Sequence, residues 1–120
     1  GVIRHGSSIL LTKRMPNVDC PNLWEFPGGK VRECETLCAG LSRELLEEIN
    51  IKVARCRPFI QFRHMYLHGL VLGYVYLIED YVGEPRPLEG QKMKWVSLSE
   101  LAKIEMLDAN QSIISQLAII

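Results

Sequence analysis

Between Thr36 and Ile49 the apolar residues change their period, with Leu37, Leu41, Leu45 and Ile49 recurring at every fourth position. That spacing is a helix stripe rather than a strand alternation, so it predicts a helix with one buried side. The sequence around it reads as β. Residues 2–3 and 8–14 predict strands separated by the turn signal His5-Gly6-Ser7-Ser8. Residues 23–26 predict a short strand that stops at Pro27-Gly28-Gly29. Beyond the helix, residues 59–66 and 70–80 form two β segments around His68-Gly69, and residues 94–96 form another. Ser97-Leu98-Ser99-Glu100 has the capping-box form of a short helix. Ile113, Ile114, Leu117 and Ala118 give the tail, residues 110–120, a helical spacing. The shortest pieces aside, the order is β-β-α-β-β-β-α, which fits one mixed sheet covered by helices, an α/β (α+β) sandwich.

A chain of 120 residues makes one domain, residues 1–120, with no repeat or linker to divide it. It opens in strand-like sequence at Gly1, so its start is expected to lie further upstream. Fourteen basic side chains balance fourteen acidic ones. This neutrality argues against a polymeric nucleic acid as partner, since such domains carry a basic excess. One small phosphate ester needs only a local cluster of cations and is left open. The longest apolar stretch, around residues 70–78, is far shorter than the ~20 residues of a membrane helix, so no membrane partner is expected. Cys20, Cys34, Cys38 and Cys56 contain no C-x-x-C pair and read as free thiols in a reducing cytoplasm.

On the predicted helix Glu44, Glu47 and Glu48 stand at i, i+3 and i+4. At about 100° per residue they share one sector of its surface, beside the leucine stripe. Like charges so placed weaken an isolated helix, and Arg43 is the one adjacent cation. Two readings are open. One is a solvated acidic face; the other is a site for Mg²⁺, with Mn²⁺ as a substitute, because those ions take carboxylate, carbonyl and water oxygens.

The upstream spacing bears on that choice. The stretch reads Gly29-x5-Glu35-x7-Arg43-Glu44-Leu45-x-Glu47-Glu48-x-Asn50-Ile51. It resembles the signature of the Nudix family, G-x5-E-x7-R-E-U-x-E-E-x-G-U with U aliphatic. Six charged or glycine positions and both aliphatic ones are met. With each residue type used at roughly one position in fifteen, such a coincidence is very improbable. Asn50 stands where the family has glycine; of the other residues, asparagine best tolerates the left-handed conformation that follows a helix.

The resemblance extends outside this box, toward the MutT branch, and covers residues 9–117. Trp24-Glu25-Phe26-Pro27-Gly28-Gly29-Lys30 is similar to that branch's W/L-E-F-P-G-G-K segment. It implies the Gly29 carbonyl as a metal ligand, Lys30 as a point charge for phosphate and Phe26 in substrate binding. Thr12-Lys13-Arg14 matches T-[KR]-R, where the arginine grips phosphate. Glu89-Gly90-Gln91 resembles a later loop whose glutamate returns to the metal, although Glu89 alone reads as an ordinary loop carboxylate. Asp108-Ala109-Asn110 resembles the P-A-N before the last helix. There the asparagine reads a purine edge, and a plain helix cap is the competing reading for Asn110. Phe62, Tyr66 and Tyr74 read as stacking or as core residues, and His64 and His68 as strand or surface histidines.

The resemblance implies a Nudix-type α/β/α sandwich with a mixed sheet between helices. It further implies a cytoplasmic, monomeric, metal-dependent pyrophosphohydrolase that converts a nucleoside triphosphate to the monophosphate and pyrophosphate. In that reading Glu44, Glu47, Glu48 and Glu89 ligate metal, Glu44 accepts the proton, and Arg43 orients a glutamate while Glu35 supports the loop. The implied substrate is 8-oxo-dGTP, which would make the chain a sanitiser of the nucleotide pool. The alternatives are a CTP or methylated-dCTP pyrophosphohydrolase and a non-catalytic nucleotide- or lesion-binding module. Modules of the last kind generally lose the box glutamates, all of which are present here.

Overall fold

The computed structural model describes residues 1–18, 21–67, 69–104, 106 and 110–117. Cys20, His68, Asp108, Ala109 and Ala118 lie outside them. The chain runs through β1 (Val2–His5), β2 (Ser8–Lys13), β3 (Trp24–Glu25), α1 (Leu37–Ile49), β4 (Lys52–Tyr66), β5 (Gly69–Val82), β6 (Met93–Ser97), α2 (Leu98–Leu101) and α3 (Gln111–Leu117). Among the described residues the strands form one six-stranded mixed sheet in the order β3-β2-β1-β5-β4, with β6 paired to β2. β1 runs parallel to β5, through Val2↔Leu77 and Ile3↔Ile78, and the other pairs are antiparallel.

Alternation along the central strands builds two cores. Val2, Ile9, Leu11, Val75 and Leu77 pack with Leu101, Ile113 and Leu117 of α2 and α3. Their sequence neighbours Ile3, Leu10 and Ile78 point the other way and pack with Leu45 and Ile49 of α1. Because successive strand side chains face opposite sides, one apolar run supplies both layers. The result is the expected α/β/α sandwich.

Two boundaries differ from the sequence reading. β4 begins at Lys52, seven positions before residue 59, and its first half alternates poorly because most of it is exposed. As the last strand of the sheet, it is held by its ladder to β5 rather than by burial. α1 begins at Leu37, with Thr36 as its cap: the Thr36 hydroxyl accepts from the Ala39 amide at 3.0 Å. At its other end Asn50 is left-handed, at φ 65° and ψ 27°, and its amide donates to the Leu45 carbonyl. Asparagine thus fills the conformation for which the family uses glycine.

Candidate active site

The glutamates of α1 are divided between two environments. Arg43 gathers the exposed side. Its Nε and Nη2 donate to the Glu35 carboxylate at 2.8 and 3.0 Å, Nη1 donates to Glu44 at 2.9 Å, and Nη2 also reaches the Lys30 carbonyl at 3.0 Å. Glu47, half exposed, lies 3.5 Å from the same guanidinium. These bonds hold the Glu35 carboxyl down at about 2 and raise the pKa of Arg43. The arginine therefore fastens the glycine loop to the helix and bonds the Glu44 carboxylate.

Glu48 faces inward. Only 8% exposed, it accepts from the Gly28 amide at 3.2 Å and the Thr12 hydroxyl at 3.4 Å. Burial pushes its carboxyl up to about 7; the Gly28 bond opposes the shift, and the charges of Glu25 and Glu89 reinforce it. The Glu44 carboxylate packs directly against Gly29, so a Cβ there would push that carboxylate aside.

Glu89 reaches this region because its loop caps α1. The Arg86 amide donates to the Ile49 carbonyl at 2.9 Å and the Leu88 amide to the Glu48 carbonyl at 3.0 Å. Buried Gln91 completes the clamp: its Nε2 donates to the Glu48 carbonyl at 3.0 Å, and its Oε1 accepts from the Glu89 amide at 2.9 Å. Glu89, Glu48, Thr12, Glu25 and Arg14 line one concave site. Arg14 pairs with Glu25 at 3.0 Å, and burial raises the Glu25 pKa against the pull of that arginine.

A larger cavity of about 650 Å³ adjoins it, with Arg14, Gly29, Lys30, Asn110 and Phe62 among its lining residues. Phe26 and Tyr74 also line it. Asn110 is buried, and its Nδ2 has no hydrogen-bond partner among the described residues. Phe62 lies across Gly73, where a Cβ would collide with the ring. His64 stacks on Tyr66 away from the site residues, with ring centroids 4.5 Å apart.

Of the residues singled out in the sequence, Arg14, Phe26, Gly29, Lys30, Glu48, Glu89 and Asn110 line one or both of these adjoining concavities, whereas Arg43, Glu44 and Glu47 line neither, and no closed cage forms among the described residues. Among the described residues no three carboxylates converge as a ready metal cluster, since Arg43 draws Glu44 and Glu47 aside while Thr12 and Gly28 draw Glu48 inward. The donor set still suits a hard divalent cation: Glu44, Glu47 and Glu48 on one helix sector, with the Gly29 carbonyl and Glu89 nearby. A carboxylate as deeply buried as Glu48, balanced by one hydroxyl and one amide, also fits a site completed by a cation. Sequence reasoning passed over Thr12, Glu25 and Gln91 as site residues. Their signal was their place within the T-K-R, W-E-F-P-G-G and E-G-Q segments, but their partners are distant in the chain.

Comparison with known proteins agrees with this geometry. A family profile described as NUDIX domain matches residues 1–116. The 8-oxo-dGTP diphosphatase of Buchnera aphidicola from Schizaphis graminum is 36% identical over 98% of this chain and 88% of its own length. The 8-oxo-dGTP diphosphatase of Escherichia coli K12 is 32% identical over 98% of this chain and 92% of its own. The crystal structure of a MutT Nudix hydrolase from Burkholderia pseudomallei superposes with a TM-score of 0.89 at 27% identity, covering 97% of this chain and 92% of that one.

Proposed function

The chain belongs to the NUDIX domain family, and on that footing we propose that it is a pyrophosphohydrolase of nucleoside triphosphates whose preferred substrate is 8-oxo-dGTP. The reaction is NTP + H₂O → NMP + pyrophosphate, with water attacking the β-phosphorus. Glu44, Glu47, Glu48, Glu89 and the Gly29 carbonyl would hold the divalent metal, Mg²⁺ or its substitute Mn²⁺. When bound, such a cation lowers the pKa of the attacking water and offsets phosphate charge. Glu44, aimed by Arg43, accepts the proton that the water loses. Arg14 and Lys30, which line the large cavity, stabilise the charge that builds on the departing pyrophosphate. A single chain supplies every one of these groups, so a monomer suffices, and the cytoplasm is where such a nucleotide pool lies.

The observation that carries the choice of base is Asn110, a buried amide whose Nδ2 has no hydrogen-bond partner among the described residues, on the wall of a nucleotide-sized cavity. A buried donor without a partner is costly unless a ligand satisfies it. An 8-oxopurine offers O6 as an acceptor and, unlike guanine, a hydrogen on N7. An amide beside that edge can donate to one and accept from the other, whereas against guanine its oxygen would face the N7 lone pair. Steady-state kinetics with 8-oxo-dGTP, dGTP, dCTP and CTP test this. The wild type should favour 8-oxo-dGTP in kcat/KM by at least about 10²-fold. Asn110→Ala should mainly erase that preference over dGTP. Equal turnover of all four by the wild type would sink the assignment, and an unchanged ratio in the variant would reduce Asn110 to a helix cap.

A further inference from the structure

Two thiols distant in the chain meet outside the site. The Sγ atoms of Cys38 and Cys56, eighteen positions apart, lie 3.3 Å from each other in hydrogen-bond contact. Cys38 is exposed in the first turn of α1, and Cys56 is half-buried on β4, paired across the sheet with Ile78. The two elements are joined by the tight turn at Asn50 and Ile51. Measured along the chain, Cys38 stands about 18 Å before that turn and Cys56 about 17 Å beyond it. The thiols therefore sit at the open end of a helix–strand unit whose other end is already closed.

We propose that Cys38 and Cys56 are a reversible oxidation site, closed by peroxide into a disulfide that ties the first turn of α1 to β4. The division of labour follows from position. Cys38 is open to solvent, where its thiolate attacks one peroxide oxygen; the O–O bond breaks, water leaves after protonation, and Cys38 becomes a sulfenic acid. The Cys56 sulfur then attacks the Cys38 sulfur. The S–S bond forms as the S–O bond breaks, and a second water departs with the remaining thiol proton. In total two thiols and one H₂O₂ give a disulfide and two waters, the sulfurs being oxidised and the peroxide oxygens reduced. Burial pushes the Cys56 thiol up to about 11, and its contact with Cys38 adds to the shift. That leaves the exposed Cys38 to meet peroxide first, and the 3.3 Å contact places Cys56 to resolve the sulfenic acid.

The bond needs only a short approach of two sulfurs already in contact, to about 2.05 Å. It closes a covalent loop in the unfolded chain and anchors the helix that carries Glu44, Glu47 and Glu48. The oxidised protein should therefore melt about 5 °C higher than the reduced one. This site does not depend on which nucleotide the chain hydrolyses.

The test treats the reduced protein with excess hydrogen peroxide at pH 8, alkylates the remaining thiols and digests it without reductant. A mass loss of about 2 Da, a linked peptide pair holding Cys38 and Cys56, and a melting rise reversed by dithiothreitol are the expected results. Cys34→Ser should retain all three, and Cys38→Ser and Cys56→Ala should each abolish them. Recovery of Cys38 alkylated, or as sulfinic or sulfonic acid, would overturn the proposal. So would a link through Cys34, or a Cys38–Cys56 link that leaves melting unchanged or lowers it.

Discussion

Burial leaves the Glu48 carboxyl at about 7 in the metal-free protein, so the pH dependence of stability has a definite sign. The folded pKa lies above the unfolded one. The folded state therefore holds the proton more tightly, and the stability this confers is complete below about pH 4.5 and lost as pH rises through about 7. Glu48→Gln should cancel the loss, raising the melting midpoint of the metal-free protein at pH 8 by on the order of 5 °C and leaving that at pH 4 nearly unchanged. Equal shifts at both pH values would show that another group sets the dependence. The same substitution removes a proposed metal ligand, as does Glu47→Gln. Each should reduce kcat by at least about 10²-fold while circular dichroism stays native. Arg43 shows how far a residue's role can be read ahead of its geometry. Its adjacency to Glu44 was visible in the sequence, but its double bond to Glu35 across the glycine loop needed the fold.

At the scale of elements, the C-terminal end of α1 and the loop over residues 83–92 work as one piece. Helix ends expose unsatisfied carbonyls, and here the loop amides of Arg86 and Leu88 and the side chain of Gln91 satisfy two of them. The same bonds that finish the helix bring Glu89 to the site. Gln91→Ala should thus cost about 1–3 kcal/mol in urea unfolding, through two buried bonds lost, and lower kcat about tenfold by freeing Glu89. A stability loss with kcat unchanged would remove Glu89 from the reaction. Helix α1 was legible because its apolar stripe repeats over four turns, and Asn50 because only a few residues tolerate its backbone. The first half of β4 was not. Arg55, Arg57 and Pro58 carry no strand alternation, and the ladder that makes them a strand comes from β5, some twenty residues further on.

For the whole molecule, one sheet shared by two cores makes its two faces mutually dependent. Leu10 packs with α1, and its neighbours Ile9 and Leu11 pack with α2 and α3, so neither layer can loosen without disturbing the strand between them. Leu45→Ala on one face and Ile113→Ala on the other should each cost about 2–5 kcal/mol, and each should lower the same single unfolding transition. Separate transitions for the two variants would mean that the layers fold independently. The zero net charge also takes on its meaning here. It is compatible with a small phosphate ester rather than a polymer, while the fold places Glu25, Glu48 and Glu89 around one concave site and Arg14 and Lys30 in the lining of the adjoining cavity. The sequence by itself determined the periods, the caps, the glycine loop and the carboxylate spacing, because backbone geometry, side-chain branching and helical repeat act within a few residues. Only the tertiary structure decided that Arg43 and Thr12 would share out the glutamates, that Gln91 would hold Glu89, that Asn110 would line a cavity and that Cys38 would meet Cys56. Those pairings join residues far apart in the chain, and burial and distance between such partners exist only after the sheet has brought its strands together.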